Sequence, residues 1–112
     1  METKTLGLLR NAMNAYNQRM QSTNSNIANL DTPGYQRVSV SFEEELQNRR
    51  HQVPSLRNVE DVKAKMEVHE EAPILEDEMM ALADTQMRTQ LATRALSEHF
   101  GLMRTGITGQ SM

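Results

Sequence analysis

The chain has 112 residues, a net charge of −3, no cysteine, no tryptophan, two tyrosines and two phenylalanines. This length allows one domain at most, and the lack of cysteine excludes disulfides and thiolate metal sites. Acidic and basic residues are interspersed, so the chain offers no basic surface for nucleic acid. No run approaches the ~20 apolar residues of a membrane span. The apolar cluster Leu6, Leu8 and Leu9 is too short for a secretory signal, so we expect any export to use a route without a cleaved leader.

An apolar heptad repeat predicts a first long helix over residues 3–29. Its members alternate between spacings of three and four residues, and Thr23 is the one polar member. A repeat of this length is typical of a helix that packs against another helix. The members are Leu6, Leu9, Met13, Tyr16, Met20, Thr23, Ile27 and Leu30.

A clear stop signal follows this helix. Thr32 precedes a proline and therefore disfavours the α region. Pro33 and Gly34 fit the second and third positions of a type II turn. The first segment of the chain, residues 1–34, is thus a helix with its terminating turn.

Residues 35–73 form a polar middle. The apolar residues Val38, Val40 and Phe42 alternate with polar ones, which predicts a short extended segment. A brief helix is expected over residues 42–50. The remainder is too polar to hold one conformation alone, and we expect a small β-element at 65–69 only where a partner supports it.

A second long helix is predicted over residues 75–105, within a C-terminal segment of residues 74–112. Acidic residues occupy its first turn, where the helix dipole favours negative charge, and Gly106 and Gly109 are expected to end it. Its seam is apolar at both ends and polar in the middle, and a flanking apolar stripe indicates a second packing surface. The seam comprises Leu75, Met79, Leu82, Gln86, Thr89, Thr93, Leu96, Phe100, Met103 and Ile107, and the flanking stripe comprises Met80, Ala83, Met87, Leu91 and Ala95.

No pattern in the sequence indicates catalysis or a cofactor. The histidines His51, His69 and His99 lack the i, i+4 spacing of a helical metal site. Paired carboxylates such as Glu44 and Glu45 lack an apolar pocket that would shift their pKa. We therefore expect neither an enzyme nor a bound metal or cofactor.

The segment from Asn26 to Tyr35 closely resembles the N-terminal motif of the bacterial flagellar axial proteins, the family of rod, hook and hook-associated subunits. In that family, N-x-A-N-x-x-T-P-G-Y ends the N-terminal helix. The matching residues are Asn26, Ala28, Asn29, Thr32, Pro33, Gly34 and Tyr35.

The second helix indicates which branch of the family the chain resembles most. Its opening, from Leu75 to Ala83, is similar to the L-x-x-E-M-x-x-L-A of the proximal rod proteins, and the short chain suits that branch of the family. The family often has a D-G-N turn before this helix, whereas this chain has residues 69–73, His-Glu-Glu-Ala-Pro. That departure concerns the middle region and not the two ends.

The resemblance implies a mainly α-helical subunit of the flagellar basal-body rod. Such subunits are exported unfolded through the flagellar type III apparatus, self-associate, and join other rod subunits and the membrane-ring adaptor across the cell envelope. The rod serves motility as a drive shaft. The terminal helices are expected to form an antiparallel, coiled-coil-like hairpin that packs internally or on neighbouring subunits. The packing residues are Leu6, Leu9, Met13, Tyr16, Met20, Ile27, Leu75, Met79, Leu82, Leu96, Phe100 and Met103.

Asn26 and Asn29 lie just inside the end of a helix although asparagine is a poor helix former. We hypothesise that these residues and the turn at 32–35 fix where the chain leaves the helical layer. A soluble helical adaptor or export chaperone is the alternative interpretation of the amphipathic helices. It leaves the sequence of the stop motif unexplained.

Overall fold

The computed structural model describes residues 3–52 and 61–108. In this part of the chain, α1 spans Thr3–Ala28, β1 Val38–Ser41, α2 Glu43–Gln52, β2 Lys65–Val68 and α3 Leu75–Thr108. The fold is mainly α-helical with a small two-stranded sheet between the two long helices, as predicted. Residues 53–60 of the polar middle, and Gly109 at the expected end of α3, lie outside the described residues.

The long helices α1 and α3 pack against each other in antiparallel orientation. Asn26 near the end of α1 contacts Glu78 in the first turn of α3. Toward the other end of the pair, the Thr93 hydroxyl lies 3.9 Å from the Met13 sulfur. A rising residue number on one helix therefore meets a falling number on the other, and the predicted antiparallel hairpin of terminal helices is confirmed.

The sheet is antiparallel, and its register pairs Val38 with Val68 and Ser41 with Lys65. Two further backbone hydrogen bonds extend it, from His69 N to Arg37 O at 2.8 Å and from Arg37 N to the carbonyl of Glu71 at 3.0 Å. The β-element expected only with a partner is thus present, and its partner is β1 of the same chain.

Helix α2 forms although nearly all of its residues are polar. Three glutamates occupy its first turn, and Arg49, Arg50 and His51 occupy its last, so both ends complement the helix dipole. Phe42, just before the helix, and Leu46 within it supply the apolar contacts that hold it against α1.

The hydrophobic core lies on the side of α1 that faces β1 and α2. Its buried members are Ala12, Ala15, Phe42 and Val62. The ring of Phe42 meets that of Tyr16 edge to face, with centroids 6.4 Å apart, an arrangement that adds to the burial of both rings. This core is small, because it contains two alanines and one large aromatic side chain.

Helix α3 continues through Gly106 to Thr108, so the expectation that Gly106 ends it is wrong. Gly106 has no positive φ, unlike the residue that closes a helix in a left-handed cap. A glycine inside a helix costs only about 1 kcal/mol relative to alanine, and the neighbouring turns tolerate that cost.

Candidate functional site: a polar joint between the terminal helices

The terminating turn has the predicted geometry. Gly34 has a φ of +75°, which a type II turn requires at its third position. The backbone N–H of Tyr35 donates to the carbonyl of Thr32 at 3.2 Å and closes the turn. The Pro-Gly pair therefore reverses the chain directly after α1.

Asn29 and Thr32 cap the end of α1. The Asn29 amide Nδ2 donates to the carbonyl of Ser25 at 2.8 Å, and so occupies one of the carbonyls that a helix C-terminus leaves without a partner. The Thr32 hydroxyl donates in turn to Asn29 Oδ1 at 3.0 Å. Both residues of the motif thus stabilise the stop locally.

Asn26 binds the first residue of β1 as a neighbouring strand would. Its side chain is 1% exposed. Oδ1 accepts from Val38 N at 3.0 Å, and Nδ2 donates to Val38 O at 2.8 Å. The Tyr35 hydroxyl donates to the same Oδ1 at 3.3 Å and pairs with Ser25 Oγ at 2.9 Å. This two-point contact needs a donor and an acceptor side by side on one planar group, and the carboxamide of Asn26 supplies both.

Glu78 connects this arrangement to α3. Its side chain is 2% exposed. Oε1 accepts from Asn26 Nδ2 at 3.0 Å, and Oε2 accepts from Arg37 Nε at 2.9 Å. A buried carboxylate is tolerated because both oxygens have donors and a cation lies beside it. We refer to Asn26, Arg37 and Glu78 as the polar joint, because they tie α1, β1 and α3 together.

A second charged group lies farther along the hairpin. Glu43, the first residue of α2, binds Arg19 of α1 at 2.8 Å and Arg88 of α3 at 3.1 Å. Arg88 also pairs with Asp84 one turn before it at 2.8 Å. We call Arg19, Glu43 and Arg88 the ionic cluster. It is more exposed than the polar joint.

The protonation of Glu43 reflects two opposing effects. Partial burial favours the neutral acid and on its own raises the pKa of Glu43. The hydrogen bond from Arg19, and the charges of Arg19 and Arg88, outweigh that effect. The pKa of Glu43 therefore lies below its ordinary value, and its carboxylate remains charged at neutral pH.

The structure brings together part of the predicted packing set. On α1, the seam residues Leu6, Leu9, Met13, Tyr16, Met20 and Ile27 are all half-buried. On α3, Leu82, Leu96 and Met103 are half-buried, whereas Leu75, Met79 and Phe100 are exposed. Among the residues of α3 whose side chains the structure describes, the buried ones are instead Glu78, Thr85 and Ala92. The inward face of α3 is thus rotated relative to the predicted seam.

Sequence reasoning found Asn26, Asn29 and the turn but missed Arg37, Glu43 and Glu78. For Glu78 a signal was available, since it is the glutamate of the motif that opens α3 and it lies in the helix turn that an antiparallel partner brings beside Asn26. Arg37 and Glu43 carried no comparable signal, because charged residues are frequent throughout the polar middle.

Comparison with known protein families returns a match that includes Asn26 of the polar joint but ends before Arg37 and Glu78. Residues 8–36 match the family described as flagella basal body rod protein. This region of the chain is similar to the flagella basal body rod proteins. The match begins within α1 and ends after Tyr35, so it contains the stop motif with Asn26 and Asn29, and the predicted resemblance is confirmed at family level. No curated protein matches the chain.

The rod family implies a structural role in the flagellar basal body and assembly with other rod components. Within residues 3–52 and 61–108, no helix is both long enough and apolar enough to cross a membrane.

Proposed function

We propose that this chain is a subunit of the flagellar proximal rod, of the kind called FlgB, which polymerises through its terminal helices into part of the drive shaft for motility. The observation that carries the proposal is the stop motif. Its residues match the rod family, and one of them, Asn26, is the member of the polar joint that binds both β1 and α3. The proposed role is structural and involves no catalysis and no cofactor.

The exposed side of α3 supports polymerisation. Met80, Met87 and Leu91 are 71%, 60% and 56% exposed, and they share one face of the helix. A row of large apolar side chains facing water is typical of a surface that another protein covers. Methionine suits such a surface because its unbranched side chain adapts to different neighbours.

The proposed partners are other rod subunits, the adaptor that joins the rod to the membrane ring, and the flagellar type III export apparatus. The proximal assignment rests on the resemblance of residues 75–83 to the opening of the C-terminal helix of proximal rod proteins. Leu75 and Met79 of that segment are exposed and would pack on neighbouring subunits.

Deletion of the gene, followed by electron microscopy of purified basal bodies, tests this proposal. We expect membrane rings without a rod and non-motile cells, and restoration of both rods and motility by the wild-type gene on a plasmid. Complementation with the Asn26→Ala, Asn29→Ala double variant should fail to restore swimming. Intact rods in the deletion strain would refute the proposal.

The alternative is a soluble helical adaptor or export chaperone that binds a partner helix through the same apolar face of α3. It predicts that the protein is found in the cytoplasmic fraction and not in purified basal bodies. Quantitative immunoblotting of the two fractions distinguishes these functions, since a rod subunit must be enriched in the basal bodies.

A further inference from the structure

The face of α3 that the structure packs against α1 differs from the face that the sequence predicted. The predicted seam is rich in large apolar residues, among them Leu75, Met79 and Phe100, which are exposed. The face that the structure buries contains Glu78, Thr85 and Ala92 instead. These two faces differ by a rotation of roughly 50° about the helix axis. Leu82, Thr89, Leu96 and Met103 belong to the predicted seam and also lie at the edge of the buried face, where they are half-buried.

Burial of apolar area alone does not explain this choice. The hydrophobic effect scales with the apolar surface removed from water, and rotation toward the predicted seam would cover Leu75, Met79 and Phe100. The same rotation would take Glu78 away from Asn26 and Arg37. The observed setting keeps both carboxylate oxygens of Glu78 bonded, at 3.0 Å and 2.9 Å.

We infer that Glu78 is a positioning residue that fixes the rotation of α3 against α1. Its bonds to Asn26 and Arg37 select the inward face of small residues and thereby direct Met80 and Met87 outward. A single buried polar residue can fix how two helices pair even when it adds little to stability. This inference concerns the packing of one chain and stands independently of the rod assignment.

Asn26 offers its hydrogen bond to Glu78 from a fixed place. Its amide is already held by Val38 N and Val38 O, so Nδ2 points toward α3 from a fixed place. Arg37, the residue before β1, approaches Glu78 from the second side. Glu78 therefore meets two donors that lie outside α3, on α1 and beside β1, so rotation of α3 would carry its carboxylate away from them.

Neighbouring cysteines introduced on α3 provide a test that separates rotation from unfolding. The chain has no cysteine of its own. Thr85 is fully buried and Gln86 is exposed, and the rotation would move these adjacent positions in opposite directions. Thr85→Cys and Gln86→Cys are prepared separately in the full chain, each with and without Glu78→Met, and the rate of alkylation by N-ethylmaleimide is measured.

With Glu78 present, the thiol at position 86 should react faster than the thiol at position 85 by roughly tenfold or more, as expected for an exposed and a buried group. With Glu78→Met, which keeps the volume of the side chain, the rate at position 85 should rise while the rate at position 86 falls. The ratio of the two rates should then drop to about one or below. Glu78→Gln keeps one acceptor oxygen and should give an intermediate ratio. If Glu78→Met does not fold, the Glu78→Gln comparison decides.

Glu76→Met is the matched control, because it removes the same charge from the same first turn but changes an exposed side chain. We expect it to leave the ratio unchanged. An unchanged ratio in both Glu78 variants would overturn the inference. A rise of both rates together would also overturn it, because Glu78 would then only stabilise the hairpin without choosing its rotation.

Discussion

The two faces of α3 reverse the usual distribution of side chains in a helix that packs on one side. Its inward face buries Glu78, Thr85 and Ala92, whereas its outward face presents Met80 and Met87 to solvent. In a helix stabilised by its own chain, the large apolar residues would normally face inward. We infer that the inward face sets the geometry of the helix pair through the hydrogen bonds of Glu78, while Met80 and Met87 remain exposed for the neighbouring subunits proposed above.

Close approach of the helices is a consequence of the small inward residues. Thr85 donates its hydroxyl to the carbonyl of Ala81 within its own helix at 2.8 Å, so it needs no partner on α1. Such a contact buries little apolar area, which is why the polar joint at Asn26 becomes important for holding the pair.

The largest effect on the inward side is expected for Asn26→Ala. This change leaves both backbone groups of Val38 and one oxygen of Glu78 without their donor or acceptor. Loss of partners at buried polar groups should lower the free energy of unfolding by about 2–3 kcal/mol. Urea denaturation followed by circular dichroism measures it.

Asn24→Ala is the control for that change, because Asn24 lies on the same helix half a turn away and is exposed. It should change the free energy of unfolding by less than about 0.5 kcal/mol. Equal midpoints for the two variants would show that the inward side does not depend on the polar joint.

A smaller loss of stability is expected at Gly34, in the turn between α1 and β1. Gly34→Ala places a Cβ in open space, but the φ of +75° is unfavourable for any residue with a side chain. We expect a loss of about 1 kcal/mol. Gly101→Ala, also into open space but in a helix, should instead gain up to about 1 kcal/mol. Thermal unfolding of both variants should therefore shift in opposite directions, and a shift in the same direction would contradict the backbone account.

The ionic cluster should contribute least and should depend on pH. Because the pKa of Glu43 is lower in the folded chain than its ordinary value, its stabilisation is complete above that ordinary value and is lost as the pH falls through the lower, folded pKa. The side chain of Glu43 is 38% exposed to solvent, so screening limits the effect to under about 1 kcal/mol.

Glu43→Gln tests this dependence. Its difference in unfolding free energy from the wild type should be present at neutral pH and disappear in strong acid. Glu44→Gln is the control, since Glu44 is the exposed neighbour in the same helix turn. A difference for Glu43→Gln that persists unchanged in strong acid would rule out the charge of Glu43 as its origin.

Local patterns predicted local structure well in this chain. The heptad repeat predicted α1 to within a residue, and Pro33-Gly34 predicted the type II turn that Gly34 adopts. These features depend on residues close together in sequence, where backbone preferences dominate. The prediction that Gly106 ends α3 was wrong, because the cost of one glycine in a helix is smaller than the stability of the helical turns around it.

The rotation of α3 could not be obtained from its own pattern. Apolar periodicity favoured Leu75, Met79 and Phe100 as the inward side, but the structure buries Glu78 instead. The cause lies 52 positions away along the chain, in an asparagine whose amide is held by β1. A side-chain hydrogen bond between distant segments leaves no periodic signal in the sequence. The sequence therefore predicted that the two helices pair in antiparallel orientation, but not which face of α3 is buried.

The outward face of α3 gives the most direct test of the claim that this helix folds with one side and assembles with the other. Met87→Glu is compared with Met87→Leu, both for the free energy of unfolding of the purified chain and for rods seen by electron microscopy in the complemented deletion strain. We predict that Met87→Glu changes stability by less than about 0.5 kcal/mol, because the side chain is exposed, yet yields no rods, while Met87→Leu yields rods. Normal rods with Met87→Glu, or its failure to fold as a monomer, would contradict the account.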